Sequence, residues 1–191
     1  MSMLSDQDIA FALDRRWITI TPLEGNEIQA NSVDLHLSPH FLVFHREEGG
    51  IIDPTKEMDC FKFTSEWTIP QGGRFRLWPG QFVLGSTLER VTFNNEHAGS
   101  LEGKSSLGRL GLEVHSTAGF FDAGFAGYPT LEISSKIQQS ILLWPGMPIC
   151  QMAFFKLSSP ALRPYTGKYA DQGPKPRASE YWRNTWKDPR E

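Results

Sequence analysis

The sequence predicts a mainly β fold, a sandwich, jelly roll or distorted barrel, with one helix close to its N-terminus. Short apolar runs typical of strands recur along the chain, whereas only one stretch has helical spacing over several turns. Turn signals rich in glycine and proline separate the strand-like runs. These signals are Gly49-Gly50, Asp53-Pro54, Gly72-Gly73, Pro79-Gly80 and Pro145-Gly146.

The helix is predicted between Asp6 and Arg16. Ser5 suits the N-cap position, and Asp6 and Asp8 place negative charge in the first turn, where the helix dipole favours it. Apolar residues then recur at helical spacing, so one face of the helix is expected to be buried.

The strands are predicted from a change of apolar period. Val33, Leu35 and Leu37 alternate with polar residues, which predicts a half-buried strand. Two Trp-Pro-Gly sequences, at 78–80 and 144–146, each precede a further apolar run and indicate similar turns in one sheet architecture. The further strands are predicted at 41–44, 74–78, 82–88, 130–133, 141–143 and 149–157.

One domain is predicted over residues 1–162, followed by an arm over residues 163–191. A chain of 191 residues buries a core without disulfide or metal staples. The arm combines prolines and glycines with aromatic residues, which makes it too aromatic for a plain solvated tail. It fits either an arm that packs on a neighbour or a lid over a ligand. Its aromatic residues are Tyr165, Tyr169, Tyr181, Trp182 and Trp186.

The composition excludes several classes of protein. Hydrophobic residues make up 39% and charged residues 21%, which excludes a disordered chain, a coiled coil and a collagen. With 19 Lys and Arg against 22 Asp and Glu, the net charge is -3, so no basic excess exists to bind nucleic acid. A single phosphorylated metabolite needs only a local basic cluster and stays possible.

The chain is expected in a reducing cytoplasm with no membrane partner. Residues 1–8 have neither the basic nor the apolar region of a signal peptide, and apolar runs such as 141–144 are too short to cross a bilayer. Cys60 and Cys150 lie far apart and fit neither a cysteine-rich zinc site nor a secreted disulfide framework.

Chemistry-bearing residues are densest between Gly103 and Glu132. Lys104, Ser105, Ser106 and Arg109 place two cations and two hydroxyls beside glycines, and such groups bind phosphate oxygens. The glycine spacing is not that of a Walker A loop. The alternative interpretation is a capped short helix with surface charges.

Three further residues of this segment each allow two interpretations. Asp122 lies in a glycine-rich turn and fits a turn former as well as a ligand contact. Glu132 lies between strand apolar residues; it either faces solvent or faces a pocket, where it would shuttle protons. His115 fits a hydrogen-bonded structural histidine better than a catalyst.

The same segment resembles the dCTP deaminase family, part of the trimeric dUTPase-like superfamily. The resemblance covers nearly the whole chain, with residues 45–70 its least distinctive part. The matching motifs are Gly-Lys-Ser-Ser-Leu-Gly-Arg-Leu-Gly-Leu (103–112), His-Ser-Thr-Ala-Gly (115–119), Asp-x-Gly-Phe-x-Gly (122–127), Thr-Leu-Glu (130–132), Leu-Trp-Pro-Gly-Met (143–147), Gln151, Pro164-Tyr165, Lys168-Tyr169-x-x-Gln172-Gly173, Gln29-x-x-Ser32-Val33-Asp34-Leu35 and Leu4-Ser5-Asp6.

The resemblance implies a distorted β-barrel or jelly-roll subunit and a homotrimer with active sites between subunits. It implies deamination of dCTP without zinc, and the zinc-deaminase signature His-x-Glu…Pro-Cys-x-x-Cys is missing from the sequence. Magnesium would accompany the triphosphate, with no metal ligands from protein side chains. The expected partners are dCTP and dUTP, with dTTP as a candidate feedback inhibitor.

The resemblance also implies catalytic roles. Glu132 matches the general acid/base, which takes a proton from the attacking water and delivers it to cytosine N3 and the leaving amine. Ser105 and the Ala118 carbonyl match the groups that position this water, and Arg109 matches the cation beside the glutamate. Asp122 is assigned to the same catalytic set.

Substrate contacts are implied in the same way. Asp122 matches the contact to the deoxyribose 3′-hydroxyl, and Phe125 matches the ring that excludes a 2′-hydroxyl. Lys104 and Ser106 match phosphate contacts, although many deaminases have Arg at the first of these positions. The other implied substrate contacts are Ser105, Leu107, Gly108, Arg109, Thr130, Leu131, Glu132, Gln151, Tyr165, Lys168 and Gln172.

The family has a branch that forms dUTP and a bifunctional branch that forms dUMP and diphosphate. The first has His directly after the Thr-Ala pair, whereas this chain has Gly119 there and resembles the second. A glycine at this position leaves room for a second water near the phosphates. It also allows a backbone conformation that other residues cannot adopt. Ala123 and Ser135-Lys136 depart from the family's usual Pro and Ser-Asn.

Three rival interpretations remain. A deaminase-only enzyme would form dUTP. A plain dUTPase would end in an Arg-Gly-x-x-Gly-Phe-Gly arm, which the sequence lacks. A non-catalytic nucleotide-sensing trimer would have lost the water-positioning set, whereas Ser105, Arg109, Ala118 and Glu132 are all present.

Overall fold

The computed structural model describes residues 2–45, 50–57 and 61–184. These residues form mainly β-strands, as the sequence predicts. Among the described residues, helices span Asp6–Asp14 (α1) and Ser105–Gly108 (α2), and a 3-10 turn lies at Tyr181–Arg183. The strands are Ser2–Met3 (β1), Ile18–Thr21 (β2), Ser32–His36 (β3), His40–Phe44 (β4), Thr64–Thr68 (β5), Phe75–Leu77 (β6), Phe82–Ser86 (β7), Arg90–Phe93 (β8), His97–Gly103 (β9), Leu112–Glu113 (β10), Phe120–Phe121 (β11), Ala126–Gly127 (β12), Thr130–Ser135 (β13), Ile141–Leu143 (β14) and Pro148–Lys156 (β15).

Two large antiparallel sheets organise the fold. The first has the order β1-β15-β9-β11, with β3 also paired to β15, and the second has the order β10-β13-β7-β4-β5. Strands β12-β8-β2 and β14-β6 form two smaller sheets. One contiguous hydrophobic core takes side chains from both large sheets, such as Leu35 and Phe154 from the first and Leu131 from the second. The predicted jelly-roll type of β fold is confirmed.

Helix α1 begins where the sequence predicts. The Ser5 hydroxyl accepts a hydrogen bond from the Asp8 N–H (3.3 Å), and the Asp8 carboxylate accepts one from the Ser5 N–H (3.4 Å), which forms a capping box. The helix ends at Asp14, before the predicted Arg16, because Arg16 adopts a left-handed conformation (φ 55°). In the part of the chain that the structure describes, no helix is long and apolar enough to cross a membrane.

Several strands were missed from the sequence. Strand β9 carries Gly99 and Gly103 and lacks an apolar period, yet it pairs with β15 over seven residues. A Cβ at Gly99 would lie 2.8 Å from the Phe93 ring, so the glycine permits close packing across the core. Strand β5 is mostly exposed and polar, and it pairs with β4 at the edge of the second large sheet. Such strands depend on their neighbours more than on their own residues.

The two Trp-Pro-Gly turns are alike, as predicted. Gly80 (φ 66°) and Gly146 (φ 82°) both adopt left-handed conformations that favour glycine. Strands β6 and β14, which lead into the two turns, pair with each other. The strands that follow, β7 and β15, are central in the two large sheets.

The arm crosses one face of the second sheet. Cross-strand partners share a face, and Thr130 pairs with Ser86 in the same sheet in which Glu132 pairs with Leu84. Gln172 binds Thr130 on β13, and the Ser86 hydroxyl on β7 donates to the Pro174 carbonyl (2.6 Å). A third contact joins Lys175 to Glu66 on β5 (2.6 Å). The arm therefore covers the sheet face that carries Glu132.

Candidate active site

A cavity of about 460 Å³ lies between the arm and this sheet face. Its floor is apolar and comes from Phe44, Phe82 and Leu84. The turn between β11 and β12 and strand β13 form one wall, and the arm forms the other. The site residues predicted from the sequence that line this cavity are Ala118, Asp122, Phe125, Thr130, Glu132, Tyr165 and Gln172. Leu131, the remaining predicted residue of β13, is buried in the core on the opposite face.

Glu132 is half-buried and its carboxylate is held by backbone N–H groups. One oxygen, Oε2, accepts hydrogen bonds from Ser116 N (2.7 Å) and Thr117 N (3.1 Å). These bonds wrap the loop at 115–118 around the carboxylate and bring Ala118 to the cavity. The other oxygen has no hydrogen-bond partner among the described residues. Charge-assisted bonds of this type fix the orientation of a carboxylate while one oxygen stays available for proton transfer.

Asp122 and Phe125 form the turn between β11 and β12. The Phe125 N–H donates to the Asp122 carbonyl (3.1 Å), and within the described chain the exposed Asp122 carboxylate makes no hydrogen bond or ion pair. Phe125 is buried, and its ring packs edge-on against Phe121 with the ring centroids 4.9 Å apart. The Tyr165 N–H donates to the Ala123 carbonyl (2.8 Å), which attaches the arm to this turn.

Gly124 allows the arm to approach this turn. Its φ of 87° is left-handed, and a Cβ on it would lie 2.6 Å from Cβ of Pro164. Both features favour glycine at this position. The close approach explains a residue that the family motif contains but that the sequence alone leaves unexplained.

Gln172 is buried and ties the arm to the sheet. Its side-chain amide donates to the Tyr128 carbonyl (3.0 Å) and to the Thr130 hydroxyl. The amide nitrogen is therefore occupied by the protein itself. The side-chain oxygen of Gln172 is therefore the atom expected to make the predicted nucleotide contact.

The predicted phosphate-binding segment lies outside this cavity. Ser105, Ser106, Gly108 and Arg109 are exposed on α2 and its end, while Leu107 packs against the core. None of residues 104–109 lines the cavity. Within one chain, the predicted catalytic residues Ser105 and Arg109 are thus not brought together with Glu132.

Lys104 and Gln151 meet instead beside Asp34. The Lys104 ammonium forms an ion pair with Asp34 Oδ2 (2.6 Å), and Gln151 lies opposite Asp34 in the pairing of β15 with β3. The Gln151 side-chain oxygen Oε1 accepts a hydrogen bond from the Ser32 hydroxyl (3.3 Å). Lys168, on the arm, donates to the Asn184 side chain and does not line the cavity.

Gly119 corrects one prediction. Gly119 does not have a positive φ, so the prediction that it adopts a backbone conformation unfavourable for other residues is wrong. The glycine is needed for close approach, because a Cβ would lie 2.9 Å from the Leu101 carbonyl oxygen and 3.3 Å from the His115 ring. His115 itself keeps its buried Nδ1 without a hydrogen-bond partner in the described chain, so the expected hydrogen-bonded histidine is wrong for that atom.

Other cavity residues were not predicted from the sequence. Leu84 and Phe82 reach the cavity because β7 pairs with β13, and this register is not visible in the sequence. Tyr169 was part of a recognised motif, whereas Arg177 and Ser179 lie beyond every motif. They alternate with buried Ala178 and Glu180, and this burial is not visible in the sequence.

Glu89 and Cys150 are buried ionisable groups that lie away from the cavity. Burial raises the pKa of Glu89, whose carboxylate accepts from the His36 N–H (3.0 Å) and lies 2.7 Å from His36 Nδ1. Burial also raises the pKa of the Cys150 thiol, which makes it a poor nucleophile. In residues 2–45, 50–57 and 61–184, no three His, Cys, Asp or Glu side chains group as a metal site requires.

Comparison with known proteins shows the family of the chain. A family described as dCTP deaminase-like matches residues 3–157. The chain is similar to "dCTP deaminase, dUMP-forming" of Corynebacterium diphtheriae, with 48% identity over 180 residues, 91% of this chain and 95% of that protein. It is also similar to the protein of the same description from Salinispora tropica, with 44% identity over 191 residues, 96% of this chain and 98% of that protein.

A solved structure shows the same fold. The crystal structure of 2′-deoxycytidine 5′-triphosphate deaminase from Agrobacterium tumefaciens superimposes with a TM-score of 0.62 at 21% sequence identity. The match covers 82% of this chain and 48% of that chain, so this chain spans about half of its length.

Proposed function

The chain belongs to the dCTP deaminase-like family, and from this premise we propose that it hydrolyses dCTP to dUMP, ammonia and diphosphate. The observation that carries the proposal is the Glu132 carboxylate, fixed by two backbone N–H groups at the wall of a nucleotide-sized cavity. The product dUMP supplies thymidylate synthesis, and we place the reaction in the cytoplasm.

The cavity suggests an order for the parts of the nucleotide. The cytosine ring lies against Glu132, where proton transfer is needed, and the deoxyribose lies at the turn that carries Asp122 and Phe125. Asp122 accepts a hydrogen bond from the 3′-hydroxyl, and the Phe125 ring leaves no room for a 2′-hydroxyl. Tyr165 closes the cavity from the arm.

Deamination uses Glu132 in place of a zinc-bound water. The free Glu132 oxygen takes a proton from a water that the Ala118 carbonyl positions, and the water oxygen bonds to C4 of cytosine. Glu132 passes this proton to N3, and then moves a second proton from the new hydroxyl to the exocyclic amine. The C4–N4 bond breaks, ammonia leaves, and the uracil ring remains.

The site is completed by a second subunit. Ser105 and Arg109 are exposed and lie outside the cavity of their own chain, so we propose a homotrimer in which α2 of one subunit enters the site of the next. Two large apolar side chains support this arrangement: Leu110 beside α2 and Phe120 at the cavity are each 58% exposed. Contact between subunits would bury such side chains.

In this trimer the α2 segment supplies the groups that the cavity lacks. Ser105 helps to position the attacking water, and Arg109 stabilises the charge beside Glu132. Ser106 and the backbone of Leu107 and Gly108 bind phosphate oxygens. Lys104 reaches the phosphates from its ion pair with Asp34.

Release of diphosphate depends on Asp122. Its exposed carboxylate orients a second water for attack on the α-phosphorus, and the bond from that phosphorus to the leaving diphosphate breaks. The triphosphate oxygens are the ligands that Mg²⁺ prefers. Bound magnesium would neutralise charge on the triphosphate. dTTP shares the deoxyribose and triphosphate, and we expect it to bind the same site as an inhibitor.

Product analysis separates this proposal from its alternatives. The protein is incubated with dCTP or dUTP and magnesium, and the nucleotides are resolved by chromatography. The proposal expects dUMP from dCTP. A deaminase-only enzyme would accumulate dUTP, a dUTPase would leave dCTP unchanged, and a non-catalytic sensor would leave both nucleotides unchanged.

A further inference from the structure

We propose that Arg177 is a triphosphate-binding residue of this site. The inference rests on the proposed function for its substrate, and it concerns a part of the arm that lies beyond the matched family segment at residues 3–157. Arg177 lines the cavity that contains Glu132.

Arg177 changes the charge balance of the cavity within one subunit. The described lining residues include two carboxylates, Asp122 and Glu132, and Arg177 is the cation among them. Two carboxylates repel a polyanion in a partly enclosed site, where charges are weakly screened. A guanidinium at the same cavity offsets this repulsion and attracts the phosphates.

The Arg177 side chain is held in place by the arm itself. One terminal nitrogen donates to a Glu180 oxygen, and the other donates to the Lys168 carbonyl (3.2 Å). Glu180 is buried, and its N–H donates to the Tyr169 hydroxyl (2.9 Å). A guanidinium has five N–H donors, so these two bonds leave donors for a ligand. These bonds therefore orient the Arg177 side chain and leave some of its N–H donors available to a ligand.

A surplus positive charge remains at this place. Glu180 accepts from Arg183 as well (2.5 Å), so one buried carboxylate faces two guanidinium groups. The Arg177 side chain keeps 40% exposure despite its ion pair. Ser179, two residues further on, lines the same cavity and adds a hydroxyl. A planar guanidinium beside a hydroxyl is a good combination for phosphate oxygens.

Arg183 provides a matched control. It pairs with the same Glu180 carboxylate as Arg177, but it does not line the cavity. Arg177→Ala and Arg183→Ala each remove one partner of Glu180, and Arg177→Ala also removes the bond to the Lys168 carbonyl. Only the first removes a cation from the cavity, and the salt dependence of KM, which follows this charge, separates its loss from the loss of the Lys168 contact.

Steady-state kinetics with dCTP gives the first test. Arg177→Ala is expected to raise KM about tenfold or more, as loss of a charge-assisted contact does, while Arg183→Ala changes KM less than about threefold. Arg177→Lys keeps the charge but loses the planar fork, and its KM is expected between the two. Added salt is expected to raise KM more steeply in the wild type than in Arg177→Ala.

Calorimetric titration with inorganic tripolyphosphate gives the second test, because it needs no turnover. We expect weaker binding in Arg177→Ala than in Arg183→Ala. Equal KM values and equal tripolyphosphate affinities in these two variants would overturn the inference and leave the proposed function intact. A wild type that binds tripolyphosphate through Arg177 but leaves dCTP unconverted would overturn the proposed function and support the inference.

Discussion

At the scale of single residues, the candidate site depends on which side-chain atoms already accept hydrogen bonds from the backbone. Glu132 looks like an ordinary solvent-facing strand carboxylate in the sequence, because it alternates with Leu131 and Ile133. In the structure it faces the arm, and two N–H groups of a neighbouring loop bind one of its oxygens. The alternation of polar and apolar residues predicts which face of the sheet carries Glu132. It does not predict the contact with the loop, because that contact joins residues distant in the chain.

Replacement of Glu132 by Gln is expected to abolish deamination. An amide keeps the size and polarity of the side chain but cannot move protons, so turnover falls by about 10² to 10⁴-fold or more. Ammonia release measures the loss, and binding of dCTP is expected to stay close to that of the wild type. Glu113→Gln is the matched control, since Glu113 is a half-buried glutamate on β10 outside the cavity. More than about a tenth of wild-type deamination in Glu132→Gln would exclude the role assigned to it.

Asp122→Asn is expected to separate the two halves of the reaction. The exposed carboxylate is assigned to the second water, so its loss lowers diphosphate release more than ammonia release, by about tenfold or more. Both products are measured in the same reaction, together with accumulated dUTP. An equal decrease of both products would show that Asp122 serves binding alone.

At the scale of elements, local pattern predicts those parts whose burial follows their own residues. Helix α1 and strand β3 were predicted because capping residues and apolar periods lie within each element. Strands β5 and β9 were not, because pairing with β4 and β15 determines them. The arm was recognised by composition, but its path over β13, β7 and β5 depends on contacts far away in the sequence.

Gly124→Ala is expected to displace the arm from the site. The new Cβ would meet Pro164 at 2.6 Å, so the arm must shift, and KM for dCTP is expected to rise about tenfold. Gly25→Ala is the matched control, because Gly25 has a similar φ of 96° but nothing within 4 Å of its Cβ position. Both variants share a backbone cost of about 1 kcal/mol. If both variants left KM unchanged, the arm would not be a lid.

At the scale of the whole molecule, the two parts of the predicted site lie apart within a single chain. The Glu132 cavity and the α2 segment do not meet within the chain, although the family resemblance assigns both to one site. The resemblance of the sequence to known motifs predicts which residues belong to one site. Neither the sequence nor one subunit fixes how copies of the chain join, because that depends on the shape of the assembled surface.

Shared sites predict that two inactive variants restore each other. Glu132→Gln and Arg109→Ala are each expected to be inactive alone. When the two are co-expressed and mix randomly, about a quarter of the sites combine the intact Glu132 of one subunit with the intact Arg109 of the next. Light scattering checks the trimer mass, and ammonia release checks activity. No recovery in a mixed trimer would mean that each site belongs to one subunit.

The most direct measurement for the central claim is the stoichiometry of products from dCTP. Ammonia and diphosphate are quantified in the same samples from the earliest times of a reaction with magnesium. A cavity that deaminates the base and cleaves the triphosphate of one bound nucleotide predicts equal amounts of both, with dUMP as the nucleotide and little free dUTP. Stoichiometric ammonia and dUTP without diphosphate would contradict the account and leave a deaminase alone.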